Sequence, residues 1–345
     1  MDIIIGLTII AVGAFCQSSC YVPINKIKQW SWESYWIVQG VFAWLILPFL
    51  GMLLAVPAGH TLGEMFAGAS SFSIWMTILF GVLWGVGGLT FGLSMRYLGV
   101  ALGQSITLGT CAALGTIMGP VLLNIFFPEN DPLSQLTYSV IIGVIVTLMG
   151  IAIIGMAGSM KARQMVQKGT KDVAVKDFNF PKGLAIALLA GFMSGCFNVG
   201  LEFGSGINFG ELTNLMYRTL PATFLVTLGG FVTNAVYCFY QNSKNKTWSD
   251  YLDGKVWVNN ALYCLLAGAL WYSQFFGLAL GKGFLTGYPT LMTLSFCILM
   301  ALNVVFSNVW GIILHEWKGC SRNTIRVLVL GIVVLVISCF LPQMI

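Results

Sequence analysis

Charge is what this sequence has least of. Only 8% of its 345 residues are Asp, Glu, Lys or Arg, against about a quarter in a water-soluble domain, which excludes an ordinary cytosolic enzyme. Histidine is nearly missing too. His60 and His315 are the only two, and neither stands in a metal-ligand spacing with Cys or Asp. No phosphate-binding GxxxxGK[ST] run and no glycine-rich strand-to-helix turn occurs; transport driven by ATP hydrolysis within this chain and dinucleotide chemistry are therefore not expected, and no cofactor is. Nine cysteines, Cys16, Cys111, Cys196, Cys264, Cys297 and Cys339 among them, are scattered singly through apolar runs. They read as small buried hydrophobes, not as disulfides or a zinc site. The excess of 17 bases over 12 acids gives +5, but the bases form no patch beside a soluble fold, so nucleic acid is not an expected partner.

What the sequence does have is apolar length. Hydrophobic residues make up 57% and the mean hydropathy is +0.86. A hydrocarbon core of about 30 Å takes roughly 20 helical residues to cross, and ten runs are long enough: 3–23, 35–56, 73–94, 99–125, 137–158, 182–201, 214–240, 258–280, 287–314 and 323–344. They lack the period of two that membrane barrels show, so the expected fold is an all-α integral membrane protein with ten transmembrane helices. The first run has Asp2 before it and no basic segment, and so reads as a span, not a cleaved signal.

The bases set the expected direction. Fifteen of the seventeen fall in the odd-numbered connections: Lys26 and Lys28; Arg96; Lys161 to Lys182; Lys244, Lys246 and Lys255; Lys318, Arg322 and Arg326. By the positive-inside rule those connections are cytoplasmic and both termini are outside. Trp30, Trp32, Tyr35 and Trp36, and again Trp310 and Trp317, fit an interfacial aromatic belt.

Five spans lie on each side of a polar, basic stretch, giving a first repeat at 1–160, a cytoplasmic linker at 161–181 and a second repeat at 182–345. Gly6-Leu7 through Phe15 aligns on Gly183-Leu184 through Phe192, and Gly81-Val82-Leu83-Trp84 with Phe91-Gly92-Leu93 is echoed by Gly268-Ala269-Leu270-Trp271 with Phe276-Gly277-Leu278. An odd number of spans per repeat inverts the second copy, the arrangement secondary transporters use. Shared membrane composition is the competing reading. Gly81-xxx-Gly85, Gly99-xxx-Gly103, Gly115-xxx-Gly119 and Gly277-xxx-Gly281 are spacings at which helix backbones can approach closely.

Polar groups recur at helical spacing. Gln17, Tyr21 and Asn25 share one face, and the repeat carries that face onto Ser194, Asn198 and Glu202. A stripe facing lipid would leave hydrogen-bonding groups unsatisfied, so both stripes are expected to face inward. The candidate substrate ligands are Gln17, Tyr21, Trp84, Gln104, Thr107, Asn198, Trp271, Tyr272 and Gln274. Amides match sugar hydroxyls and an indole face fits a sugar's C–H surface, whereas an anion would need buried Arg or Lys, of which the spans hold almost none; a neutral substrate is expected. For each aromatic the alternative is core packing or interface anchoring. Proton coupling needs a carboxyl group that changes charge, and Glu202 and Glu33 are the candidates. Their alternatives are a loop position for Glu202 and, for Glu33, a surface carboxylate paired with Lys26 and Lys28. Arg218 reads as snorkelling to the outer interface.

Three segments resemble a known family: Cys20-Tyr21-Val22-Pro23 leading to Lys28-Gln29-Trp30-Ser31-Trp32-Glu33; Gly92-Leu93-Ser94-Met95-Arg96-Tyr97-Leu98-Gly99; and Leu270-Trp271-Tyr272-Ser273-Gln274-Phe275-Phe276. They are similar to the L-rhamnose-proton symporter family of the drug/metabolite transporter superfamily. The resemblance implies two inverted five-helix repeats, uptake of L-rhamnose with protons across a bacterial inner membrane, and a central cavity among spans one, three, four, six, eight and nine. It brings no proton-carrying residue with it. A related porter for glucose or ribose, an exporter of a small neutral metabolite, and an integral membrane enzyme or receptor are the competing expectations.

Overall fold

The structure is a computed structural model that describes residues 1–98, 100–167, 179–252 and 254–341. Among these residues there is no strand, and ten helices are long and apolar enough to cross a membrane. They are α1 (Asp2–Ile24), α2 (Trp32–Leu53), α3 (Ser71–Leu98), α4 (Gly103–Phe126), α5 (Tyr138–Gln164), α6 (Phe180–Phe203), α7 (Leu220–Asn245), α8 (Gly254–Phe284), α9 (Pro289–Ile313) and α10 (Arg322–Phe340). Each matches one of the ten expected runs. The helix of α5 continues through Lys161 and Arg163 to Gln167, into the stretch expected as a linker. The rest of it, including Lys168, Lys171 and Lys176, lies outside the described residues, as does Gly99.

Two helices depart from regular geometry, each beside a proline. The regular part of α1 ends at Ser19, where the Cys20 N–H bonds Gln17 O at 3.0 Å, and a single further turn, Tyr21–Ile24, follows with Pro23 in it. A proline has no N–H to continue the ladder. In α2, a π-helical turn over Val41–Ile46 separates the α-helical stretches Trp32–Gly40 and Leu47–Leu53. Pro48 explains it: its ring would clash with the carbonyl four residues back, at Trp44, and a wider turn relieves that clash.

The chain forms two compact units, and neither coincides with a sequence half. The first comprises Met1–Gly85 and Gly200–Gly287, the second Val86–Val199 and Tyr288–Ile345. Two of the three cuts pass through helices, α3 and α6, and the third falls between α8 and α9, so each unit draws on both halves of the sequence.

Small residues build the first unit. α1 and α8 run antiparallel in contact: a Cβ at Gly6 would meet Gly281 O and Leu285, and one at Gly13 would lie 2.7 Å from Ser273 O. α3 crosses α7 where Gly81 meets the Val226 backbone and Gly85 meets Gly230 and Thr233. Antiparallel α2 and α7 are joined by side chains: Trp36 Nε1 donates to Asn234 Oδ1 at 3.0 Å, Ser34 Oγ to Asn242 Oδ1 at 3.0 Å, and Phe49 lies edge-on to Phe224. Connections one and seven meet at one end, where the Ser31 N–H and hydroxyl both donate to Asp250 Oδ2, at 2.8 and 2.7 Å. Connections two and six meet at the other, where Thr213 Oγ1 donates to Ala55 O at 3.1 Å. Odd thus meets odd and even meets even, as alternate crossing requires.

The second unit follows the same habit. Gly87 of α3 presses on Ser194 and Met193 of α6, Gly103 of α4 on Ser94 and Met95, and Gly115 lies against Gly195 and Phe296. α5 and α10 are antiparallel, with Gly150 against Leu335, Gly331 against Ile154, and Thr147 Oγ1 donating to Ser338 Oγ at 3.0 Å. At the end where α5 finishes and α10 begins, Gln164 Nε2 donates to Ser321 Oγ and Thr324 Oγ1, and the Ser321 N–H returns a bond to Gln164 Oε1. Lys161 lies over the Trp317 ring and 3.9 Å from Glu316.

Candidate functional site

Rings from three helices of the first unit converge. Trp84 of α3 and Trp271 of α8 have centroids 5.7 Å apart, and Trp44, from the π-helical turn of α2, stands edge-on to both at 6.0 and 5.9 Å. Trp36 and Phe275 extend the cluster at either side. Three glycines stand where these rings and their neighbour Tyr272 need room. A Cβ at Gly40 would overlap the Trp44 ring, one at Gly230 the Trp84 ring, and one at Gly51 the Tyr272 hydroxyl.

The cluster and the helices around it hold polar atoms that the described residues do not satisfy. Trp44 Nε1, Tyr272 OH, Gln17 Oε1 and Gln39 Oε1 are buried without a hydrogen-bond partner among the described residues. Two of them, on Gln17 and Gln39, belong to residues at one level, while the Tyr272 hydroxyl lies further along, at Gly51. Gly13 is beside Ser273 and Gln274, so Gln17, one turn further along α1, is level with about Ala269 on antiparallel α8. Gly268 in turn touches Gln39 O of α2. Each buried orphan costs roughly 1–3 kcal/mol, and together they are what a hydroxyl-rich ligand would offset. Gln274 is also buried, with its Cα against Gly13.

Tyr21 lies at the end of α1. The regular helix ends at Ser19, and both Tyr21 and Asn25, in and just after the single turn that follows, are exposed. Ser194, Asn198 and Glu202 lie on the unbroken α6.

The two carboxylates are held in different ways. Glu33 is 5% exposed and accepts hydrogen bonds from Asn245 Nδ2 and Thr247 Oγ1, both at 2.9 Å. Neither Lys26 nor Lys28 forms a described ion pair with it. Glu202, near the end of α6, lies 3.8 Å from the ammonium of Lys282, in the last turn of α8. Lys282 corrects the expectation of almost no buried base, because it is only 8% exposed. The helix C-terminus beside it favours a cation there.

In the second unit, Thr107 is fully buried with its hydroxyl 3.3 Å from Ser94 Oγ, and Gln104 is half-buried on the same helix. Asn198 donates from Nδ2 to Gly115 O at 2.8 Å, while its Oδ1 is buried without a partner. Among the described residues no group of three or more His, Cys, Asp or Glu could hold a metal ion.

Trp44, Gln39 and Lys282 were not singled out as ligands from the sequence. The doublet Trp44 and Pro48 was the available signal for the first, because a proline four residues after a tryptophan within a span marks a turn that presents the ring.

Comparison with known proteins extends over nearly the whole chain. The profile of a family described as L-rhamnose-proton symport protein matches residues 1–343. An L-rhamnose-proton symporter of Yersinia pestis (strain Pestoides F) is 31% identical over 344 residues, covering 97% of this chain and 96% of the relative. A protein of the same name from Citrobacter koseri is 31% identical over 338 residues, covering 95% and 93%.

Proposed function

Since this chain belongs to the L-rhamnose-proton symport protein family, we propose that it imports L-rhamnose, or a close deoxy sugar, together with a proton by alternating access. It is then a multi-pass protein of the bacterial inner membrane that makes and breaks no covalent bond in its substrate. The observation that carries this reading is the tryptophan cluster with its unsatisfied amide, indole and phenol atoms. Indole faces suit the C–H side of a sugar, and Gln17, Gln39, Trp44 Nε1 and Tyr272 OH suit its hydroxyls. Gln274 completes the polar set of the first unit, Tyr21, exposed at the end of α1, contributes at the rim, and Gln104, Thr107 and Asn198 are the substrate ligands proposed in the second unit.

Helix pairing supports two inverted repeats, 1–160 and 182–345, joined by the linker 161–181. Exchanging the halves turns the α1–α8 pair of the first unit into the α6–α3 pair of the second, and it maps α2–α7 and α5–α10 onto themselves. Lysines and arginines gather at the ends where odd connections meet, which supports a cytoplasmic position for those ends and a periplasmic one for both termini.

Glu202 is the preferred proton carrier. Protonation would cancel its pairing with Lys282 and deprotonation would restore it, so the ion pair gives the proton a structural consequence. Glu33, fixed by two hydrogen bonds from α7 and its following loop, serves to hold that end of α2.

Proteoliposomes test each part. Counterflow of labelled L-rhamnose is expected to be competed by L-rhamnose and not by glucose or ribose; the reverse pattern refutes the substrate. Glu202→Gln is expected to abolish accumulation driven by a pH gradient while sparing counterflow, and Glu33→Gln to spare both. Accumulation that survives Glu202→Gln removes that residue from coupling.

A further inference from the structure

The second unit has a groove that the sugar site does not use. It lies along α4 and α5, encloses about 650 Å³, and is lined by Ser105 and Gly109 of α4 and by Leu148, Ala152, Ser159 and Arg163 of α5, among others. No aromatic ring, amide or carboxylate is in its wall, so it lacks what a sugar requires. The hydroxyl of Ser159 is already committed to Gly155 O at 3.0 Å. Small residues form the floor: Gly155 lies against Ser105, and Gly109 against Leu148 and Ile151. Met156 on its rim is 58% exposed.

We propose that this groove binds one acyl chain of an anionic phospholipid whose phosphate pairs with Arg163. Length supports the occupant. Leu148 and Arg163 are separated by ~22 Å along a helix at 1.5 Å per residue, and one leaflet of hydrocarbon is about 15 Å deep. With Arg163 in the headgroup layer, the groove therefore runs to about the bilayer midplane. Charge supports the phosphate. Lys161, two residues earlier, is held by Glu316 and the Trp317 ring, while Arg163 is exposed and forms no described ion pair. A guanidinium at the end of an apolar trough binds phosphate in a bidentate manner.

The test is native mass spectrometry of the purified full chain with phosphatidylglycerol and with phosphatidylcholine of identical acyl chains. Wild type is expected to retain phosphatidylglycerol in preference. Arg163→Gln should weaken that preference about fivefold, the effect of one base near a membrane surface, while still retaining chains. Ala152→Trp, at an exposed position on the groove wall, should lose both lipids. Arg322→Gln, which removes a base at the same end of α10, should behave as wild type. An undiminished preference in Arg163→Gln, wild-type lipid retention in Ala152→Trp, or an equal loss in Arg322→Gln would each overturn the proposal.

Discussion

The two compact units are packed by the same means and equipped for different ends. In both, glycines let a helix from one half of the sequence seat against a helix from the other: Gly13 on Ser273 in the first, Gly87 on Ser194 in the second. In the second unit, most of the polar side chains named above are paired, with Asn198 Oδ1 the atom left over. Thr147 finds Ser338, Gln164 finds Ser321 and Thr324, and Ser94 faces Thr107. In the first, four polar atoms on α1, α2 and α8 are left open. A shared backbone plan thus fixes which helices touch and leaves function to the side chains that the touching helices leave unmatched.

The largest expected effect tests the shared part. Gly13→Leu and Gly87→Leu each force a side chain into a neighbouring backbone, with a cost of at least 1–3 kcal/mol for overpacking. Both should abolish monodisperse protein in fluorescence-detected size-exclusion chromatography. If only one did so, the equivalence of the two helix pairs would fail.

The next effect tests the difference. Trp44→Ala removes an almost fully buried ring and should lower thermal stability by about 3–5 kcal/mol, whereas Trp44→Phe keeps the edge contacts and loses only the N–H. The second variant should melt close to wild type and bind sugar about tenfold more weakly, the loss of one good hydrogen bond. In the other unit, the double change Thr147→Val with Ser338→Ala removes a matched pair and should leave sugar affinity unchanged. Equal effects on affinity in the two units would erase the distinction drawn here.

A smaller effect concerns the Glu202–Lys282 pair, which is mostly buried on the lysine side. Removing one partner strands the other, so Lys282→Met alone should destabilise more than Lys282→Met combined with Glu202→Gln. Thermal unfolding of the three variants completes the cycle. Additive losses would show that the two groups do not interact.

The smallest effect is one of pH. Burial by itself raises the Asp250 carboxyl, but hydrogen bonds from the Ser31 N–H and hydroxyl outweigh it and hold the group below the ordinary carboxylate value. A folded value below the unfolded one, about 3.9, makes its stabilising contribution complete above the unfolded value. That contribution is lost as pH falls through the folded value. The melting difference between wild type and Asp250→Asn should therefore be constant near neutrality and close in acid. A difference that widened in acid would contradict the hydrogen-bonded carboxylate.

The ten helices were legible because a run of some twenty apolar residues has few alternatives in lipid, and the small-residue spacings marked close crossings that the structure contains at Gly81, Gly85, Gly277 and Gly281. Less legible was anything that depends on one residue changing a helix. Pro48 alters the backbone locally, so a uniform period left Trp44 looking like any other span tryptophan. Lys282 was hidden for another reason. It stands next to a predicted boundary, and its burial depends on Glu202, eighty positions earlier in the chain. The mixing of sequence halves in each unit was likewise invisible to local pattern, because it follows from which glycine meets which backbone.

The wide turn in α2 has a consequence for how this helix can vary. Such a turn absorbs one extra residue while the regular stretches on either side keep their facing, so Trp36 still reaches Asn234 and Phe49 still reaches Phe224. Shortening the chain by one residue between Val41 and Ile46 would straighten the coil, leave both flanks seated and move chiefly the indole between them. Ligand preference at this position can thus shift by insertion or loss of a single codon while the surrounding scaffold stays as it is.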